Sequence, residues 1–161
     1  MIRSKGDHVR KRILIVATGG TIASTSDGDG GGLTPTASGR ELADKVPLLD
    51  TIADLDFVQP MNIDSTNMRP RDWLKIRDVI VEAYDRYDGF VVLHGTDTMA
   101  YTAAALSYLI QDSEKPIVLT GSQQPMASPF TDAKLNLYQS VLYAADDASR
   151  DVNVVFSGKV I

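Results

Sequence analysis

Apolar positions along this chain switch between two rhythms, and the switches mark its elements. Arg12–Ala17 is apolar after its first residue and short enough to be a strand. Residues 24–37 are largely Ser, Thr, Asp and Gly, a composition that predicts a loop. In Ser38-Gly39-Arg40-Glu41 the serine is placed to accept an amide of the first turn and the glutamate to reach back, a capping-box pattern that opens a short helix stopping at Pro47. A second short strand is predicted at 55–59. Pro70 suits a first helical position, although Arg69 before it is a poor cap, and Trp73, Ile76, Ile80 and Ala83 then repeat at helical spacing to about residue 84.

The unbroken apolar run Gly89–Leu93 reads as a strand buried on both faces, which is the signature of a parallel sheet. An Ala-rich helix over 98–110 carries Met99, Thr102, Leu106 and Leu109 on one face, and 115–120 is another short buried strand. Thr131 or Asp132 can cap a helix with Leu135, Tyr138, Leu142 and Ala145 on its apolar side, and Val152–Phe156 is a fifth strand. Strands alternating with helices predict an α/β protein: a three-layer α/β/α domain around an open, mostly parallel sheet. Ligands in such sheets sit beyond the carboxyl ends of the strands. Chemistry is therefore expected in the turns after Ala17, Gln59, Leu93 and Leu119.

A length of 161 residues fits one domain with one core. No apolar run approaches the roughly 18 residues of a membrane span, so no membrane association is expected. Sixteen Lys and Arg against 21 Asp and Glu leave a net charge of −5, which repels phosphate backbones and argues against a nucleic-acid partner. There is no cysteine, so thiolate chemistry and thiolate metal sites are excluded. Residues 1–11 read as a flexible polar leader, without the apolar stretch of a secretory signal, and the domain proper as 12–161. A cytoplasmic setting is expected.

The first turn, Thr18-Gly19-Gly20-Thr21, brings backbone amides close to an anion or oxyanion and sets the Thr21 hydroxyl beside them, or else is simply a tight turn with a threonine cap. It is neither a dinucleotide fingerprint nor a P-loop. The Asp-Gly-rich loop behind it lacks the third and last ligands of an EF-hand, so no metal is expected, and its length suits either a lid or a tether. The second turn, Asn62-Ile63-Asp64-Ser65-Thr66-Asn67, has the groups to hold a zwitterion, or to cap a helix. In the third, His94-Gly95-Thr96-Asp97-Thr98, Asp97 stands where a helix cap would, yet Thr96 beside it also suits an activated hydroxyl or an ammonium clamp. The fourth, Thr120-Gly121-Ser122-Gln123-Gln124-Pro125, is polar and lacks a nucleophile elbow. His8 lies in the leader and His94 is expected to point inward, so no Ser-His-Asp triad assembles. What remains is hydroxyl nucleophiles with carboxylate, amide or amine help, the equipment of acyl transfer by threonine.

Taken together, the segments from Ile15 to Ala23, Asp64 to Met68, His94 to Met99 and Leu119 to Pro125 closely resemble the bacterial L-asparaginase (asparaginase/glutaminase) family, in its order and at its spacing. The start of the helix at Asp132 also looks like that family's. The resemblance implies a flavodoxin-like N-terminal domain that hydrolyses the side-chain amide of L-asparagine, with L-glutamine as an alternative substrate, using no metal or organic cofactor. By resemblance Thr21 and Thr96 are the catalytic threonines, and Asp97 binds the substrate amine and joins the proton relay. Asp64, Ser65, Thr66, Gly95 and Ser122 match substrate-binding positions. Family members are homo-oligomers, dimers or tetramers, with a smaller C-terminal domain that the match is not expected to include.

Two departures accompany the match. Residues 24–37 contain no tyrosine where the family has one, so either Thr34 or Thr36 substitutes or the loop works differently, and the family's lysine falls past the segment matched by 154–159, so Lys159 is not assigned its role. Val160-Ile161 reads as the start of a partner strand, so the chain is expected to be the N-terminal part of a longer protein, with weak activity or none by itself. The rival readings are an asparaginase-like module of a tRNA-dependent amidotransferase, and a non-catalytic domain that binds an amino acid or dimerises.

Overall fold

The computed structural model describes residues 10–20, 24–26, 33–35 and 39–161. Strands β1 (Arg12–Ala17), β4 (Asp54–Val58), β5 (Gly89–Leu93), β6 (Ile117–Thr120), β7 (Val152–Phe156) and β8 (Lys159–Val160) form one six-stranded sheet in the order β4-β1-β5-β6-β7-β8. All neighbours are parallel except β7 and β8, which pair antiparallel. Among the described residues four helices cover it: α1 (Gly39–Ala43), α2 (Pro70–Ala83), α3 (Met99–Leu109) and α4 (Ala133–Ala144).

The strand period of two divides the sheet's side chains between two cores, one on each face, where length alone suggested one. Ile13, Ile15, Ala17, Val91, Leu93 and Val118 pack with Leu42 and Ala43 of α1 and with Leu137, Val141 and Ala144 of α4. Leu14, Val16, Phe90, Val92, Ile117 and Leu119 pack with Ile76 and Ile80 of α2 and with Met99 and Leu106 of α3. This is the three-layer α/β/α domain expected. All five residues of β5 are buried, because the strand lies between β1 and β6 with helices on both faces. Among the described residues no helix is long and apolar enough to cross a membrane.

Four details differ from expectation. Within 24–37, β2 (Ser24–Ser26) and β3 (Leu33–Pro35) pair antiparallel, so the loop contains a short hairpin whose backbone bonds a composition argument does not register. Ser38 lies outside the described residues; α1 ends at Ala43, and Pro47 opens a separate 3-10 turn, Pro47–Thr51. Arg69 makes no side-chain cap, as expected; the unexpected part is that the Asp72 carboxylate accepts the Arg69 amide at 3.0 Å and closes the start of α2 from inside the helix.

The fourth difference is the face of α4. Leu135 and Leu142 are 55% and 49% exposed, while Ala133, Asn136, Leu137, Ser140, Val141 and Ala144 are buried. Two polar residues disguise the true face, and both are satisfied internally. Ser140 Oγ donates to the Asn136 carbonyl at 2.7 Å, and Asn136 Nδ2 donates to the Gly121 carbonyl and to Asp132 Oδ2, both at 3.0 Å.

Candidate active site at the carboxyl edge of the sheet

The strand order reverses between β1 and β5, and the turns after those two strands are pressed together there. Gly19 and Gly20 have φ of 107° and 84°, values that only glycine adopts without strain. A Cβ on Gly20 would stand 2.5 Å from both the Cα and the N of Gly95, so neither backbone leaves room for a side chain at Gly20. Thr18 ties the same two elements: its N–H and its hydroxyl both donate to the Leu93 carbonyl, at 3.0 and 2.9 Å.

The second turn joins from the β4 side. Ile63 N–H donates to the Thr18 carbonyl at 2.9 Å, and Gly19 and Ile63 form a parallel bridge. Ser65 is buried against the third turn, since a Cβ on Gly95 would lie 2.5 Å from Ser65 Oγ. Thr98, at the N-terminus of α3, donates its hydroxyl to the Ser65 carbonyl at 2.8 Å. Asp64 Oδ1 accepts both the N–H and the hydroxyl of Thr66 at 2.9 Å, which closes the turn Ser65–Asn67.

The fourth turn meets the third from β6. His94 N–H donates to the Thr120 carbonyl at 2.8 Å, and a Cβ on Gly121 would stand 2.2 Å from the His94 carbonyl oxygen and 3.5 Å from Thr96 Cγ2. Ser122 is buried and donates its hydroxyl to the Gln124 carbonyl at 2.7 Å. Asp132 accepts the amides of Gln123 and Gln124. It thus serves the turn and makes no side-chain cap of α4, while Thr131 Oγ1, one residue before the N-cap position, accepts the Ala133 amide.

Of the residues named from sequence, Asp64, Ser65, Thr66, Gly95, Thr96, Asp97 and Ser122 lie on three turns at one edge of the sheet. Thr96 is half-buried, and Asp64, Thr66 and Asp97 are exposed. Asp97 precedes the N-terminal residue Thr98 of α3 and does not cap the helix. Thr21 lies outside the described residues, as do the residues 1–9 of the expected leader.

The residues that hold these turns were less visible. His94 does point inward: it is fully buried, and burial pushes its imidazole below the ordinary value of 6.5. Its Nδ1 is 2.7 Å from the Gly95 carbonyl and its Nε2 2.8 Å from Thr102 Oγ1. Thr98, Asp132 and Asn136 were missed as site-building residues. Their signal in sequence is local, a hydroxyl or carboxylate at a helix start, whereas their partners lie on other turns.

Fold and site together define an α/β domain whose topological switch point, the place where open α/β sheets take small ligands, gathers hydroxyls, carboxylates and close-packed glycine backbone. A family profile described as "Asparaginase, N-terminal" matches residues 12–161, and the chain belongs to the asparaginase family. A glutamyl-tRNA(Gln) amidotransferase subunit of Pyrococcus horikoshii is 41% identical over 148 residues, covering 91% of this chain and 34% of the relative. The thermostable L-asparaginase from Thermococcus kodakarensis superposes with a TM-score of 0.80 at 37% identity, covering 93% of this chain and 45% of that one. The probable cytoplasmic L-asparaginase from Campylobacter jejuni gives 0.82 at 32% identity, covering 94% and 46%. The chain therefore spans about a third of that curated relative and under half of each of those solved structures.

Proposed function

We propose that this chain carries the N-terminal half of an L-asparaginase site, which hydrolyses L-asparagine to L-aspartate and ammonia through a threonine ester. The approach of Gly20 to Gly95 carries the reading, because each of these glycines is followed in the chain by a threonine, Thr21 and Thr96. A threonine hydroxyl attacks the amide carbon as a neighbouring base takes its proton. Ammonia leaves with a proton returned by that relay, and water then cleaves the ester to release aspartate. Asp97, on the turn of Thr96, receives the substrate ammonium and takes part in the relay.

Asp64 supports the same assignment. Both of its bonds to Thr66 fall on Oδ1, and Oδ2 is the oxygen proposed for the substrate ammonium. Ser65, Thr66 and Gly95 would take the α-carboxylate side. Ser122 already donates to Gln124, so its remaining capacity toward substrate is to accept, which suits the N–H of an amide. A cytoplasmic enzyme working as a homo-oligomer, a dimer or tetramer, fits this reading.

The test is ammonia release from L-asparagine and from L-glutamine, by the chain as given and by Thr96→Ala. Turnover of asparagine that the substitution abolishes supports the reading. A folded chain that releases ammonia from neither substrate counts against activity in this chain alone. The 41% identical relative named as part of an amidotransferase favours a second reading, in which the same site releases ammonia from glutamine for a glutamyl-tRNA partner. The −5 net charge argues against a tRNA-binding surface on this domain. A preference for glutamine over asparagine would select that second reading.

A further inference from the structure

Three side chains from three different elements form a single directed hydrogen-bond chain under the third turn. The Gly95 carbonyl can only accept, so His94 Nδ1 carries the proton in the 2.7 Å contact between them. Burial keeps the ring neutral, which makes Nε2 the acceptor and Thr102 Oγ1 its donor at 2.8 Å. The Thr102 oxygen in turn accepts the indole N–H of Trp73 at 3.0 Å. Every donor points the same way, from α2 through α3 to the end of β5. His94 and Thr102 are both fully buried, and each polar atom of the three side chains has its partner.

We propose that the Trp73–Thr102–His94 chain fixes the orientation of the Gly95–Thr96 peptide, and that His94 and Thr102 are thereby positioning residues for Thr96. A glycine peptide is otherwise free to rotate, because no Cβ restricts Gly95. In a trans peptide the carbonyl and the following N–H point in opposite directions. Anchoring the Gly95 oxygen on the buried imidazole therefore aims the Thr96 N–H away from that ring and sets the turn from which the Thr96 side chain projects. Gly121 backs the preceding carbonyl, and Ser65 and Gly20 close on the Gly95 Cα, so the hydrogen-bond chain supplies the one restraint that packing does not. The catalytic consequence rests on the amidohydrolase reading above; the orientation itself does not.

Thr102→Val removes the hydroxyl at nearly constant shape, Thr102→Ser restores it, and Trp73→Phe removes only the first donor. Trp73 is the sole tryptophan, so its indole N–H resonance reports directly on the link. Thr102→Val is expected to move the backbone amide resonances of Thr96 and Asp97 and to lower kcat about 10- to 100-fold, as misplacement of a reacting group does. KM should change less than kcat, since of the groups assigned to substrate only Gly95 and Asp97 adjoin the altered peptide, while Asp64, Ser65, Thr66 and Ser122 stand on other turns. Thr102→Ser should return both readouts toward wild type. A Thr102→Val protein whose indole resonance moves while the Thr96 amide and kcat stay at wild-type values overturns the proposal. If the unsubstituted chain releases no ammonia, that result counts against activity in this chain alone and the Thr96 amide by itself decides the orientation. Should Thr102→Val not fold, Trp73→Phe is read in its place, with a smaller shift of the Thr96 amide in support and a stationary one against.

Discussion

Asp132 accepts the backbone N–H of Gln123 through both of its carboxylate oxygens, at 3.1 and 3.0 Å, across nine residues of chain. One of those oxygens also takes the Gln124 amide at 3.0 Å. The turn that carries Ser122 is thus shaped by a charge that stands at the foot of α4. Asp132→Ala is expected to lower stability by about 1 to 2 kcal/mol, the usual worth of charge-assisted bonds at a partly exposed site. Asp132→Asn, which keeps one acceptor, should lose less. Urea denaturation of the three proteins gives the comparison, and an alanine variant within about 0.3 kcal/mol of wild type would refute the role.

Gly121 and Gly158 separate steric from conformational demands. A Cβ at Gly121 would lie 2.2 Å from the His94 carbonyl oxygen, whereas Gly158 has a φ of 76° and nothing within 4 Å. Gly158→Ala should therefore cost about 1 kcal/mol, from left-handed strain alone. Gly121→Ala should cost about 3 kcal/mol through overpacking against backbone, and should shift Thr96. Equal losses from the two substitutions would mean that the fourth turn yields where the close approach says it cannot.

The buried side of α4 offers a sharp test two residues apart. Leu137 is fully buried and Leu135 is 55% exposed. Replacing Leu137 by alanine is expected to cost about 2 to 5 kcal/mol, and replacing Leu135 less than about 0.5 kcal/mol. The reverse order in chemical denaturation would restore the face that hydrophobic spacing alone selects.

These residues also mark where the sequence was readable. The strands were legible because burial on both faces leaves unbroken apolar runs, as in Gly89–Leu93, and α2 because Ile76, Ile80 and Ala83 repeat without interruption. On α4 the same reasoning chose Leu135 and Leu142, because the buried Asn136 and Ser140 add no apolar signal to the true face. Asn136 is satisfied by partners far away in the chain, the Gly121 carbonyl and the Ser157 amide, which donates to Asn136 Oδ1 at 2.9 Å, and Ser140 by the Asn136 carbonyl. Seven of the residues named as site candidates from turn chemistry and family likeness lie on three turns at one edge of the sheet. The residues behind them, His94, Thr98, Asp132 and Asn136, act across turns, and one-dimensional spacing does not encode those meetings.

Acid should find His94 before it finds most of the fold. Burial lowers the folded-state value below 6.5, so as pH falls through 6.5 the unfolded chain binds a proton that the folded chain refuses. Stability is unaffected by this group above that pH and declines below it, by at most about 1.4 kcal/mol per pH unit, until the folded ring also protonates. Denaturation midpoints from pH 7.5 to 5.5 should fall accordingly, and His94→Asn should flatten that part of the profile. A His94 imidazole that titrates in the folded protein at its ordinary value would contradict the assignment.

Parallel pairing carries a consequence for how this protein comes into being. Ile13 lies opposite Gly89 and Phe90 opposite Ile117, so each join in the middle of the sheet waits for a distant stretch of polypeptide. As the chain emerges during synthesis, β1 and β4 can meet early, but β1 has no neighbour on its other side until β5 has been made. The junction of Gly20 with Gly95 is thus unavailable to any nascent chain that ends before Gly95, and Gly121 arrives later still. Pairings of such long range are slow to form. The nascent chain therefore exposes β1 as an unprotected apolar edge for much of its synthesis, and that interval is when a chaperone would be needed most.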